Sequence, residues 1–416
     1  MRNTLLVVLS GLLTMTLVGC GGHGVSTRRE SSAAKERLAA MKSAMEWQSA
    51  KQQLLSGNTA KALESINRSL GLNPNVAKSH VLKGRILMEQ GDLEGALNWF
   101  GTAEGLDPEN VEAQYYSAIV YERLKQPDES IARYRRASDL EPSNPQYVIA
   151  AAEVLMDQGK LEDAETELTS HRASFANNPG VNQTLGHIAM MQNKSEEAMN
   201  FFEQARLAAP DDPAIQNDLI GAQIACKKYA DAEHNITKLM KQKGFEDRRD
   251  LRLQRARCLV ELDRPMDARE VLVKLTTSDG GSSDVEAWIE LGKLSYKLKD
   301  NNRARTAAAR LVAIAPERPE GYQLRAMVFR RSGAMDQAHD NAIKAVALAP
   351  TAENYVLLGL IERQMGNAKD AGLCFAEALR IEPKNTMAAA QISEIQSGVE
   401  HPQAPQQAVA GVSETE

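Results

Sequence analysis

Cysteine is scarce and never clustered. Cys20, Cys226, Cys258 and Cys374 are the only four in 416 residues, with no CxxC pair and no histidine at ligand spacing beside any of them. That excludes a disulfide framework and a zinc site. The last three lie inside helical segments, where a small thiol packs as a hydrophobe. Aromatic residues make up only 5% of the chain, too few for the inward rows of a β-sandwich. Ala and Leu are abundant and a quarter of the residues are charged, the balance of an all-α protein. A net charge of −6, with both signs interspersed, leaves no basic stripe for phosphates, so nucleic acid is not an expected partner. Phosphate-cradling glycine loops, nucleophile elbows and metalloprotease motifs are missing. The seven histidines, from His23 to His401, are scattered, and His187 and His234 suit polar helix positions better than a catalytic pair. No catalytic residue, metal ligand or cofactor is expected, and no enzyme.

Long apolar runs are missing too, except at the start. Arg2 precedes an apolar stretch from Thr4 to Val18 that closes on Leu17-Val18-Gly19-Cys20. The stretch is shorter than the roughly 20 residues of a membrane span and ends in small residues, as cleavable signals do. It resembles a bacterial lipoprotein signal (residues 1–19). The resemblance implies that Cys20 becomes the first mature residue and carries several acyl chains, which together hold a protein on a membrane where one chain would not. Gly21, rather than Asp, after that cysteine implies the outer membrane, facing the periplasm. Residues 20–34, rich in Gly, Ser and charge, read as a flexible tether.

What fills the rest is a repeat. Pro74, Pro108, Pro142 and Pro210 lie on one grid of 34 with only the slot at Ala176 unfilled, and Pro316, Pro350 and Pro383 continue it at spacings of 34 and 33. Twelve residues before each slot stands a small residue, in the series Ala62, Ala96, Ser130, Ala164, Ala198, Ala304, Ala338 and Ala371, which Ala232 and Ala268 complete to ten units. Twelve residues earlier again is a second small position, filled by Ala or Gly in every unit except at Ile220. Two antiparallel helices approach closely only where facing side chains are small. Large residues, such as Ile66, Phe100 and Phe375, follow one turn later on the same face. Gly57, Gly91, Gly159, Gly333 and Gly366 mark turns between the paired helices, where a left-handed conformation favours glycine.

This pattern resembles the tetratricopeptide repeat over about residues 43–385. The resemblance implies a right-handed superhelical solenoid of about ten helix hairpins, with function in a concave groove lined by the first helix of each. Family groove positions map to Trp47, Val81, Tyr115, Ile149, Leu253 and Ile289, and to Lys51, Arg85, His187, Arg257 and Lys293. Apolar side chains beside scattered cations suit a peptide segment of another protein. Chains of this kind resemble the lipoproteins that help pilus secretins assemble, or alternatively scaffolds for peptidoglycan hydrolases or synthases, and a homodimer is compatible with the family. The expected layout is an N-terminal block at 35–246, an odd unit with hinges at 247–284, a C-terminal block with a capping helix at 285–397, and a disordered tail at 398–416. The hinges are expected at Gly244–Asp250 and Thr276–Asp284, where the spacing lengthens to 36.

Overall fold

The computed structural model describes residues 25–397; Cys20, the rest of the signal, and the tail from residue 398 lie outside the described residues. Within them the regular structure is helical, and two compact units divide the chain between Ile188 and Ala189. The first unit contains the hairpins α1 (Val25–Leu55) with α2 (Thr59–Leu72), α3 (Ala77–Gln90) with α4 (Leu93–Leu106), α5 (Val111–Arg123) with α6 (Pro127–Leu140), and α7 (Pro145–Asp157) with α8 (Leu161–Ser170). A short α9 (Arg172–Phe175) follows, and α10 (Pro179–Met191) holds the division between the units. The second unit continues with α11 (Ser195–Ala208), then the hairpins α12 (Pro213–Ala225) with α13 (Tyr229–Leu239) and α14 (Arg249–Glu261) with α15 (Pro265–Thr277). A 3-10 turn at Gly281–Ser283 precedes α16 (Val285–Lys297) with α17 (Asn301–Ile314), α18 (Pro319–Arg331) with α19 (Met335–Leu348), α20 (Ala352–Gln364) with α21 (Ala368–Ile381), and the final α22 (Thr386–Gln396).

The periodic small residues are the hinge points of packing. All ten on the second helices, from Ala62 through Ser130 to Ala371, are fully buried. In two hairpins the partner on the first helix is a glycine against a phenylalanine. A Cβ on Gly84 would lie 2.4 Å from Phe100 Cε1, and one on Gly359 would lie 2.7 Å from Phe375 Cε1. Where the large residue is instead Ile66 or Leu272, the first helix carries Ala50 or Ala256. Gly292 is different: its missing Cβ is filled by Leu324 from α18, 2.3 Å from where that atom would stand. The hairpins of Gly84 and Gly359 are thus each closed by one complementary pair, in a core where a single methyl is felt.

Every turn joining a first helix to its second has a residue at positive φ. Five are the expected glycines; the other five are Lys125, Asn193, Lys227, Asp263 and Lys299, at φ 55–61°. A side chain there costs about 1 kcal/mol or more relative to glycine. A second recurring device was not expected. The fourth residue of a first helix ties back to the carbonyl six residues earlier, which is the proline slot or its equivalent. His80 Nε2 lies 2.6 Å from the Pro74 carbonyl, Asn182 Nδ2 donates to Ala176 at 2.9 Å, Gln216 Nε2 to Pro210 at 2.7 Å, and Arg252 to Glu246 at 2.8 Å. Each satisfies a loop carbonyl that the end of the preceding helix leaves open.

Three expectations need correction. Residues 25–34, assigned to a tether, are helical, because α1 starts at Val25 and runs for 31 residues. The expected hinge at 276–284 is pinned: Arg249 donates to the carbonyl of Leu275 at 2.9 Å and to Asp284 at 2.6 Å, while Trp288 Nε1 holds the Gly281 carbonyl at 2.9 Å. Gly281 is buried there, and an added Cβ would fall 2.1 Å from the Leu275 oxygen, so only glycine fits. Last, the cap α22 packs Ile392 and Ile395 on the Phe375 cluster, but Met387, placed on the same face from sequence, is exposed.

Candidate protein-binding face

In each unit the first helices approach one another more closely than the second helices do. Contacts link α1 to α3 and α3 to α5 in the first unit, and α14, α16, α18 and α20 in succession in the second. Stacked hairpins whose first helices crowd together curve towards that side, so the first helices line the inner face. This is where a groove was expected.

The predicted residues on this face fall into two groups. In the first unit, Trp47 is half-buried and held by its Nε1 donating to the Lys78 carbonyl at 3.2 Å, with the ammonium groups of Lys51 and Lys78 over the ring at 5.4 and 5.0 Å. Arg85 lies 4.5 Å over Tyr116, and Tyr115 meets Tyr116, Tyr134 and Tyr147 at 5.3, 5.9 and 5.5 Å between ring centroids. Ile149 is half-buried near Gly180. His187 is half-buried; burial first, and then Glu122 and Asp157, push the Glu153 carboxyl above the usual range. Val81 is a correction: it is 1% exposed in the core with Phe100, so it offers nothing to a ligand.

In the second unit, Arg257 is exposed and paired with Glu290 at 2.9 Å, Lys293 is exposed, and Leu253 is half-buried against the Leu272 core. Ile289 is the second correction, packed with Leu311 and Leu324. The fifth position of a first helix points inward to the groove only where the neighbouring hairpin leaves room. At Val81 and Ile289 neighbouring side chains close over it.

The ring cluster around Tyr115 was not anticipated, although Tyr134 stands one turn after Ser130 as Ile66 does after Ala62. Tyr134 and Tyr147 are buried, and their hydroxyls donate to Glu122 at 3.0 Å and to Glu141 at 2.8 Å. Burial first, and then Glu141, push the Tyr147 hydroxyl up to about 12. The signal was a cluster of aromatic positions in three consecutive helices. Burial also pushes the Cys258 and Cys374 thiols up to about 11, which makes them poor nucleophiles. Among the described residues no helix is long and apolar enough to cross a membrane, and no group of three acidic, His or Cys side chains could hold a metal.

Comparison with known proteins fixes the family. Sequence profiles of the tetratricopeptide repeat match residues 84–125, 122–188, 155–221, 253–319 and 352–385. The chain belongs to the tetratricopeptide repeat family, and its stacked hairpins are a protein-interaction scaffold. Similar to it are the BBSome complex member BBS4 of Bos taurus, 22% identical over 177 residues that cover 42% of this chain and 34% of that one, and the TPR repeat-containing protein YpiA of Bacillus subtilis, 21% identical over 147 residues covering 35% and 34%. The chain thus spans about a third of the length of these two relatives. A solved structure of pilF from Pseudomonas aeruginosa is 17% identical, with a TM-score of 0.40, covering 48% of this chain and 90% of that one. At these identities the likeness is one of fold.

Proposed function

We propose that the chain is a non-catalytic adaptor that holds segments of other proteins against its first-helix faces, while lipid on Cys20 keeps it at the outer membrane on the periplasmic side. Its work there is to assist assembly of an envelope machine such as a pilus or secretin complex. The observation that carries the reading is the composition of the inner face in the first unit. Trp47, Tyr115 and Ile149 offer partly exposed apolar surface beside Lys51 and Arg85, the mixture that takes an extended or helical segment bearing acidic side chains. The anchor rests on the sequence around Cys20.

Deleting the gene should leave the secretin subunit monomeric or mislocalised; normal multimers in the deletion strain would remove the assembly role. Replacing Cys20 by Ala should release the protein from the membrane fraction, and retention of that variant would remove the lipid anchor.

A further inference from the structure

The first helix carries a surface that the stacking does not use. α1 is 31 residues long against 14 for its hairpin partner α2, about 46 Å against 21 Å at the usual rise per residue. One side of it is committed: Ser43 bonds to Ser69 at 3.0 Å, and Ala50 packs with Ala62 and Ile66. On the opposite side runs a stripe at alternating spacings of four and three. It starts at Ala34 and continues through Leu38, Met41 and Met45, which are 52%, 66% and 72% exposed, to Leu55 at 75%. Gln48 and Gln52 fill the two intervening places and are exposed as well. Spacing of this kind is a coiled-coil seam, read over three heptads.

The residues flanking the seam identify its occupant. The charged side chains at the flanking positions between 34 and 55 are Lys35, Arg37, Lys42 and Lys51, all cationic. A second copy of α1, parallel or antiparallel, would set these cations against one another. A lipid surface would want a wide apolar face, whereas this stripe is two positions wide, edged by charge and interrupted by two glutamines. The geometry points to an acidic amphipathic helix of another protein, with apolar residues at its own seam and Glu or Asp on both flanks, docking along α1 as a heterotypic coiled coil. The seam runs beside the inner face, shares only Lys51 with it, and does not depend on how the chain is anchored. It stands where a preceding hairpin would stack in a longer array, so the docked helix would cover that exposed end.

The test uses the purified full chain and two synthetic three-heptad peptides with Leu at the seam, one with Glu on both flanks and one with Lys. The Glu peptide should bind about tenfold or more tightly than the Lys peptide, and less well as salt is raised. Met41→Asp with Met45→Asp should abolish binding; both side chains are exposed, so the array stays folded, which circular dichroism checks. Lys35→Glu with Arg37→Glu and Lys42→Glu should reverse the preference to the Lys peptide. Failure of the Glu peptide to bind, or equal binding of both peptides, would overturn the proposal. So would a dimer of the chain, or adhesion to phosphatidylglycerol vesicles, that Met41→Asp removes, because the seam would then belong to a second copy or to lipid.

Discussion

The two compact units build the same hairpin and lock it with different chemistry. Up to Ile188 the helices are knitted by rings: Tyr115 touches three other tyrosines, His80 stacks on Trp99 at 5.3 Å, and buried hydroxyls are satisfied by Glu122 and Glu141. From Ala189 onward, neighbouring helices are joined by guanidinium groups. Arg249 reaches Asp284, Arg255 reaches Glu233, Arg257 reaches Glu290, Arg318 bridges Glu286 and Glu320, and Arg363 reaches Glu394. The first unit has ion pairs as well, Arg133 with Glu104 and Arg135 with Glu167, but there they accompany the rings. Ring burial removes apolar area from water and is indifferent to salt, whereas partly exposed ion pairs contribute under about 1 kcal/mol each and are screened. One repeat fold therefore tolerates two kinds of glue, provided that the small-residue contacts inside each hairpin are kept.

Regional hydrogen exchange and thermal unfolding can separate the two kinds of glue. The largest effect is expected from Tyr134→Ala, which removes a buried ring and should cost about 3–5 kcal/mol, seen as lost protection in α5–α7. Gly84→Ala should cost about 1–3 kcal/mol, because its Cβ would strike Phe100, and the double change with Phe100→Leu should recover most of it. Ser130→Ala should stabilise by about 1 kcal/mol: its hydroxyl is buried without a hydrogen-bond partner at a position that is Ala in the other units. Lys125→Gly in the first unit and Lys299→Gly in the second should each stabilise by up to about 1 kcal/mol, since the left-handed turn does not depend on which glue surrounds it.

The smallest effects belong to the ion pairs, where Arg318→Met should cost under about 1 kcal/mol and lose even that in high salt. Acid should tell α14–α18 from α7. The Arg318 hydrogen bond holds Glu320 below the usual carboxylate range, and the Arg248 hydrogen bond does the same for Asp250. Depressed carboxyls contribute stability above their unfolded values, which is lost as pH falls through the folded ones. Glu153 in the first unit is raised, so its ionised form costs stability and protonation relieves it. Exchange should therefore increase on acidification below about pH 4.5 in α14–α18 before it does in α7; equal response in both would dissolve the distinction.

Much of this was legible in sequence because the repeat constrains residue size. The small positions, the proline slots and the glycine turns each report a steric requirement, and all fall where the spacing puts them. The five non-glycine turns were hidden because a Lys, Asn or Asp, unlike a glycine, does not by itself mark a left-handed turn. Yet each stands seven places after the small position of its first helix, as Gly57 does after Ala50, although for Lys227 that position holds Ile220. The loop latches of His80, Asn182 and Gln216 were hidden for another reason. Their chemistry differs while their geometry is shared, so no residue type marks the position. The inner face was half legible. Sequence gives which helix position turns inward, but whether Val81 or Ile289 is open depends on side chains of the next hairpin. The exposed seam of α1 was missed although all of it but Ala34 lies outside the assigned tether, because sequence alone does not show which side of α1 the next hairpin leaves uncovered.

The central claim is that partners are held on the first-helix faces, and photo-crosslinking in living cells tests it most directly. A photoreactive side chain in place of Arg85, Tyr115 or Lys293 should give a discrete adduct with a partner protein, and one in place of Asn67 or Leu207 on second helices should not. Adducts only from the second helices would contradict the account.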